Sequence, residues 1–313
     1  MRITVRVIAA CPPKLLAKAG SPLWACLPGE VLRRLGRSTC LASYTILRRL
    51  LRRQSGLLAM TIAALWATPL WALKIDRVIL STDNHPNYIQ FWPLVAKVWK
   101  EKMGIQPTLA LIGDESVQVD ESLGDVIRFK PISGVPTWFY AQTVRLLMPA
   151  YFPNEVCVIS DIDMLPLKRD YFVNGLANIT NPDAFVVFRD KAMQNRFPMC
   201  YLAARGAVFQ ELFELASVND IPATIKEWFS FGMGWETDEL LLYRVVTGWD
   251  KYLTHVVKLG YGQEVRDRIC RTSWHYNAAE LKKGSYVDAH LPRPYSKYKD
   301  EIDKLVKELG LLS

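Results

Sequence analysis

With 313 residues, 50% of them apolar and 22% charged, the chain can bury one large α/β core or two small ones, and its mix excludes a disordered, collagenous or low-complexity protein. The net charge of +8 is concentrated at one end: residues 1–54 hold eleven Lys/Arg against the single acid Glu30, which leaves the remainder close to neutral. A globally basic, nucleic-acid-gripping surface is therefore not implied, and no nucleic-acid partner is expected.

In chain order, residues 1–54 read as a basic leader with little order of its own. Residues 55–73 form an apolar segment, with Arg48, Arg49, Arg52 and Arg53 before it and Trp66 and Trp71 toward its far end. Its length just suffices to span a bilayer, and the positive flank would keep the N-terminus cytoplasmic. That is the layout of a single-pass signal anchor with residues 74–313 on the non-cytoplasmic side, in the ER or Golgi lumen of a eukaryote. Two other readings stand beside it: a cleaved signal peptide, or an extension preceding a start at Met60, which leaves the domain cytoplasmic.

From Lys74 strands and helices alternate. Residues 77–82 read as a buried strand, 88–102 as a helix closed by Gly104, 108–113 and 125–129 as two further strands, and 141–149 as a helix. Residues 155–160 form a continuous apolar strand. More strands are expected at 184–188 and around 206–209, a helix from Asp238 to Val246 with Thr237 as a possible cap, and an amphipathic helix over 299–312. The alternation predicts an α/β domain with a mostly parallel, helix-flanked sheet. Walker and dinucleotide-type glycine loops are absent. Cys157 lies in the apolar strand and reads as a small core residue, while Cys200 and Cys270 could pair in an oxidising compartment.

The acidic triplet Asp161-Ile162-Asp163 follows the 155–160 strand directly and is followed by Met164-Leu165-Pro166-Leu167. Ligands in open α/β sheets bind outside the carboxyl ends of the strands. Two carboxylates at i and i+2 of an extended segment point to one side and make a hard oxygen site suited to Mn²⁺ or Mg²⁺ and, through it, a diphosphate. The run Thr143 to Pro153, then Val156 to Pro166, resembles the nucleotide-diphospho-sugar transferases of the GT-A fold, of the glycogenin and lipopolysaccharide-galactosyltransferase type. The resemblance implies a Rossmann-like domain that moves a sugar from a nucleotide-diphosphate donor, a UDP-hexose, to a hydroxyl of a glycan, lipid or protein acceptor.

On that resemblance, Asp161 lies near the ribose and the metal, Asp163 chelates the cation, and Arg145 holds the diphosphate or the donor sugar. Thr82 and Asp83 meet the nucleoside. His290, in Asp288-Ala289-His290-Leu291-Pro292-Arg293, supplies a third metal ligand, with His275 as its rival; His85 and His255 read as structural. Asp238 and Glu239 stand where a carboxylate pair meets the acceptor hydroxyl or the donor sugar, or else complement a helix dipole. Trp138 and Tyr140, in the 131–140 loop before the 141–149 helix, read either as a sugar- or base-stacking pair or as core. Two alternatives are an inactive carbohydrate-binding homologue and an Asp-x-Asp phosphatase. The latter wants its first Asp directly after the apolar run and a Thr four residues on, where this chain has Leu165.

Overall fold

The computed structural model describes residues 72–191, 194–260 and 267–311. The basic leader and nearly all of the apolar segment thus lie outside the described residues. Leu73, the last residue of that segment, is buried, and its N–H donates to the Ile179 carbonyl at 2.9 Å, so it belongs to the domain. Among the described residues no helix is long and apolar enough to cross a membrane.

Seven strands form the main sheet: β1 (Arg77–Asp83), β2 (Gln106–Ile112), β3 (Asp125–Phe129), β4 (Val156–Ile159), β6 (Phe185–Val187), β7 (Leu202–Arg205) and β8 (Val256–Lys258). Their order is β3-β2-β1-β4-β7-β6-β8. Every pairing is parallel except those of β7, which runs antiparallel to both β4 and β6. The mostly parallel α/β sheet expected from the alternation is therefore present. A second sheet of β5 (Met164–Pro166), β10 (Asp288–His290) and β9 (Arg268–Ile269) pairs β10 with β5 antiparallel and with β9 parallel.

Alternating residues of the buried strands feed two cores. Val78, Leu80, Leu109, Leu111 and Val158 share one with Trp92, Val95 and Trp99 of α1 (Trp92–Val98) and the turn after it, and with the second sheet. Ile79, Ala110, Cys157 and Ile159 share the other with α2 (Thr137–Leu147), α3 (Gly206–Leu212), α4 (Ile221–Ser230) and α5 (Thr237–Gly248). The C-terminal α6 (Tyr295–Glu308) joins the first core through Ile302, Leu305 and Val306, as its amphipathic spacing requires.

Three local expectations are corrected. The segment around 206–209 is helix rather than strand: β7 ends at Arg205 and α3 starts at Gly206, whose N–H donates to the Glu155 carbonyl at 2.9 Å. Only a glycine allows this approach, because a Cβ there would overlap the carbonyl oxygens of Pro149 and Phe152. The 88–102 helix is broken into a turn at Pro86–Ile89, α1, and a wider π turn at Trp99–Met103, closed by Gly104 with φ 70°. Finally, α2 starts at Thr137 rather than Ala141, which moves Trp138 and Tyr140 from a loop into its first turn. Cys157, Cys200 and Cys270 are all free thiols, so the Cys200–Cys270 bond is not formed.

Candidate active site

Strand β4 delivers the acidic triplet to the carboxyl edge of the sheet, beside the end of β1. The triplet is not extended: Ile162 and Asp163 form a turn, closed by the Met164 N–H donating to the Asp161 carbonyl at 3.1 Å. Ile162 is buried, and both carboxylates still line one cleft. The turn leads directly into β5, so Asp163 sits at the junction of the two sheets. Because β10 pairs with β5 in the register His290 to Met164, the imidazole arrives next to Asp163. The Leu291 N–H donates to the Asp163 carbonyl at 2.8 Å and locks that register.

Arg145 is buried and organises the second carboxylate group. Its Nη1 donates to Asp161 Oδ1, its Nη2 to Asp238 Oδ2 at 2.9 Å, and its Nε to the Gln142 carbonyl at 3.0 Å. Burial disfavours a charge on Asp161, but Arg145 and, to a lesser extent, His290 outweigh it and hold the carboxyl below its usual range. For Asp238 the balance falls the other way: burial outweighs Arg145, and its carboxyl is raised. Asp238 is only 1% exposed and also accepts from Gln142 Nε2 at 2.9 Å and the Glu239 N–H at 2.8 Å, so it serves as an anchor within the site. Glu239 is more open to the cleft. Burial, followed by the charges of Asp238 and Asp161, pushes its carboxyl up to about 7. Thr237 does not cap α5: its hydroxyl donates to the Gly234 carbonyl at 2.7 Å.

The Asp163 side chain is 5% exposed and faces three cationic or basic groups through one oxygen. Arg271 Nη1 lies 3.0 Å from Oδ2, His290 Nε2 3.3 Å and Arg293 Nε 3.5 Å. Asp161, Asp163 and His290 therefore share one cleft. Among the described residues, however, no three His, Cys, Asp or Glu side chains stand close enough together to hold a metal ion as they are. His275 is exposed and lines a separate groove beside α6, His85 accepts the Asn87 N–H at a helix start, and His255 packs edge-on to Trp249. Of the four histidines, His290 alone is at the cleft.

The cleft has two connected parts. One, lined by Ser81, Thr82, Asp83, Tyr88 and Trp138, is walled mainly by apolar and aromatic groups; the other carries Glu239, Arg271, His290 and Arg293. Thr82 and Asp83 are buried, and Asp83 is already engaged, accepting from the His85 N–H at 3.0 Å and the Thr137 hydroxyl at 2.8 Å. Trp138 and Trp235 stack at 5.5 Å and 28° on the rim, both exposed, whereas Tyr140 is core. Arg293 lies over the Tyr88 ring at 4.6 Å.

Sequence reasoning missed Gln142, Arg271 and the buried Arg268, which is bound to Asp288 by two contacts of 2.7 Å and thereby holds β9 to β10. The available signal was weak. Gln142 lies one turn before Arg145, a spacing that shares a helix face, while Arg271 is contiguous with the site only through the pairing of β9 and β10.

Comparison with known proteins adds little beyond this geometry. No described protein family matches the sequence, and no curated protein matches it. Among solved structures, the galactosyltransferase LgtC in complex with donor and acceptor sugar analogues aligns with a TM-score of 0.41 and 12% identity, over 76% of this chain and 96% of that one.

Proposed function

We propose that this chain is a cation-assisted glycosyltransferase of the GT-A type, moving a hexose from a uridine-diphosphate donor to an acceptor hydroxyl. One observation carries the reading: two carboxylates at the carboxyl edge of a central strand share a cleft with a histidine and a half-open glutamate. The apolar part beside Thr82 and Asp83 suits the nucleoside. The part containing Arg145, Arg271 and Arg293 suits the diphosphate, whose charge these guanidinium groups oppose.

The side chains of His290, Asp163 and Asp161 have the donor chemistry of a divalent-cation site, although they are not spaced to hold an ion as they stand. His290 Nε2 is buried and has no hydrogen-bond partner among the described residues, yet stands 3.3 Å from a carboxylate oxygen of Asp163. With the imidazole neutral, His290 Nε2, Asp163 and Asp161 would hold Mn²⁺ or Mg²⁺ once the three side chains draw together and Arg271 releases Asp163 Oδ2. When bound, such an ion supplies Lewis-acid stabilisation of the departing diphosphate. Arg145 keeps Asp161 ionised and fixes Asp238. Glu239, whose carboxyl is raised to about 7, would take the proton of the incoming hydroxyl. The geometry favours Glu239 over Asp238 for that task, because every bond to Asp238 comes from the protein itself.

Purified full-length protein incubated with a panel of nucleotide sugars, with Mn²⁺ or with EDTA, tests the reading. Nucleoside diphosphate is expected to be released from at least one donor only when the cation is present. No release from any donor refutes transferase activity, and sugar-nucleotide binding without turnover identifies an inactive carbohydrate-binding homologue. Phosphate release from simple monoesters instead supports the phosphatase alternative.

A further inference from the structure

Arg145, Arg268, Arg271 and Arg293 all line the charged part of the cleft, and they differ in how firmly they are held. Arg145 is fixed by its bonds to Asp161, Asp238 and the Gln142 carbonyl. Arg268 is buried and bound twice to Asp288 at 2.7 Å. Arg293 lies over the Tyr88 ring and donates to the Tyr88 hydroxyl, with its Nε 3.5 Å from Asp163 Oδ2. Arg271 lacks such a tether. Among the described residues its guanidinium donates to Asp163 Oδ2 alone, at 3.0 Å, and its side chain is 33% exposed. Its backbone is held, because it follows β9 and opens a turn closed by the Trp274 N–H donating to the Cys270 carbonyl at 2.7 Å. Any displacement of Arg271 is thus a rotation of its own long side chain.

A divalent cation taken up by Asp163 would stand beside two guanidinium groups, those of Arg271 and Arg293, that already face the same oxygen. Like charges so close repel strongly where the dielectric is well below that of water. The Asp163 side chain is 5% exposed, so solvent and salt screen little of that repulsion. A diphosphate reverses the balance. It brings several negative charges into the cleft, and its paired oxygens suit the planar fork of an arginine better than a single carboxylate oxygen does. The least tethered guanidinium is the one free to answer.

We propose that Arg271 exchanges partners: it neutralises Asp163 until a nucleotide arrives, then passes to the diphosphate and yields Asp163 Oδ2 to the cation. Arg271 thereby makes the binding of each ligand depend on the other, and the cleft takes up the cation poorly by itself. The inference rests on the transferase reading above. Coupling of this kind is reciprocal, so each ligand must raise the affinity of the other by one and the same factor.

Electron paramagnetic resonance of free Mn²⁺ and calorimetry of UDP binding, both on the full-length protein, test the exchange. In the unaltered protein UDP should tighten Mn²⁺ binding by about 10- to 100-fold, and Mn²⁺ should tighten UDP binding equally. In Arg271→Met, Mn²⁺ alone should bind at least about 5-fold more tightly than in the unaltered protein, because a competitor and a repelling charge are gone. UDP in EDTA should bind at least about 5-fold more weakly, and the mutual enhancement should shrink. Arg271→Lys, which keeps the charge, should hold Mn²⁺ alone within about threefold of the unaltered protein. Mn²⁺ alone binding no more tightly to Arg271→Met, or as tightly to Arg271→Lys as to Arg271→Met, overturns the exchange. So does a UDP affinity that Arg271→Met leaves unmoved, which marks Arg271 as a fixed partner of Asp163. Equal Mn²⁺ affinity with and without UDP in the unaltered protein also overturns it, and that measurement needs no variant to fold. Failure of the unaltered protein to bind UDP at all, with or without Mn²⁺, strikes the transferase reading itself, and the exchange falls with it.

Discussion

Replacing Arg145 by methionine leaves two carboxylates facing each other without the guanidinium that joins them. Three contacts go: those to Asp161 Oδ1, to Asp238 Oδ2 at 2.9 Å and to the Gln142 carbonyl at 3.0 Å. The cost falls mainly on Asp238, whose side chain is 2% exposed, whereas that of Asp161 is 26% exposed and can be hydrated. Asp238 keeps its bonds from Gln142 Nε2 and the Glu239 N–H, which temper the loss. Stranding a buried charge by removing its partner costs about 3–5 kcal/mol. Against a typical domain stability of about 5–15 kcal/mol, that is a large fraction.

Urea unfolding of the full-length protein and of Arg145→Met at pH 7 reads the deficit. The deficit should shrink as the pH falls. Burial already raises the Asp238 carboxyl against the pull of Arg145, and without that pull the folded state binds its proton more readily than the unfolded state does. Stability linked to that proton is gained as pH drops through the folded-state value and lost as it rises. The double variant Arg145→Met/Asp238→Asn should recover at least half of the deficit at pH 7. A deficit below about 1 kcal/mol, the worth of an exposed ion pair, or no recovery in the double variant, would refute this account of the anchor.

Glu239→Gln removes a carboxyl that prefers its neutral form in the fold, because its value is raised from the usual range to about 7 by burial and then by Asp238 and Asp161. The parent carries this destabilisation above about pH 7 and loses it toward acid, so the variant's melting temperature should exceed the parent's at pH 8 and match it at pH 4. The acidic limb of the rate profile near pH 7 should vanish with it. Gly206→Ala forces a Cβ onto the carbonyl oxygens of Pro149 and Phe152, rigid backbone on both sides, and is expected to cost about 1–3 kcal/mol by urea unfolding. Trp235→Ala should lower stability by only about 0.5–1.5 kcal/mol, the worth of its stack on Trp138, while raising the KM for a sugar substrate. Asp163→Asn should abolish the Mn²⁺ dependence of UDP binding measured by calorimetry, and an unchanged dependence would remove Asp163 from the cation site.

Periodicity and punctuation were enough to read β1, β3 and β4, the end of the first helix at Gly104 and the amphipathic face of α6, because each depends on short-range patterning of apolar side chains. The same patterning placed Asp161 and Asp163 at a strand's carboxyl edge. It misread Gly206, whose role follows from Pro149 and Phe152 pressing on it, and it placed Trp138 and Tyr140 in a loop that is the first turn of α2. Short apolar runs do not distinguish strand from helix until their neighbours are known.

The rest of the site was decided by tertiary structure alone. Residues 145 and 238 are far apart in the chain, and a buried guanidinium needs two carboxylates only because α2 and α5 bring it out of water. His290 meets Asp163 because β10 pairs with β5, and Arg271 follows from the pairing of β9 with β10. Residue identity marked Asp161, Asp163 and Arg145 as chemistry-bearing from the sequence alone. Their partners, and the orientation of the Gln142 amide between Trp235 and Asp238, were not legible in the sequence. Hydrogen bonds are satisfied by whatever the fold brings within reach, and no spacing along the chain encodes that.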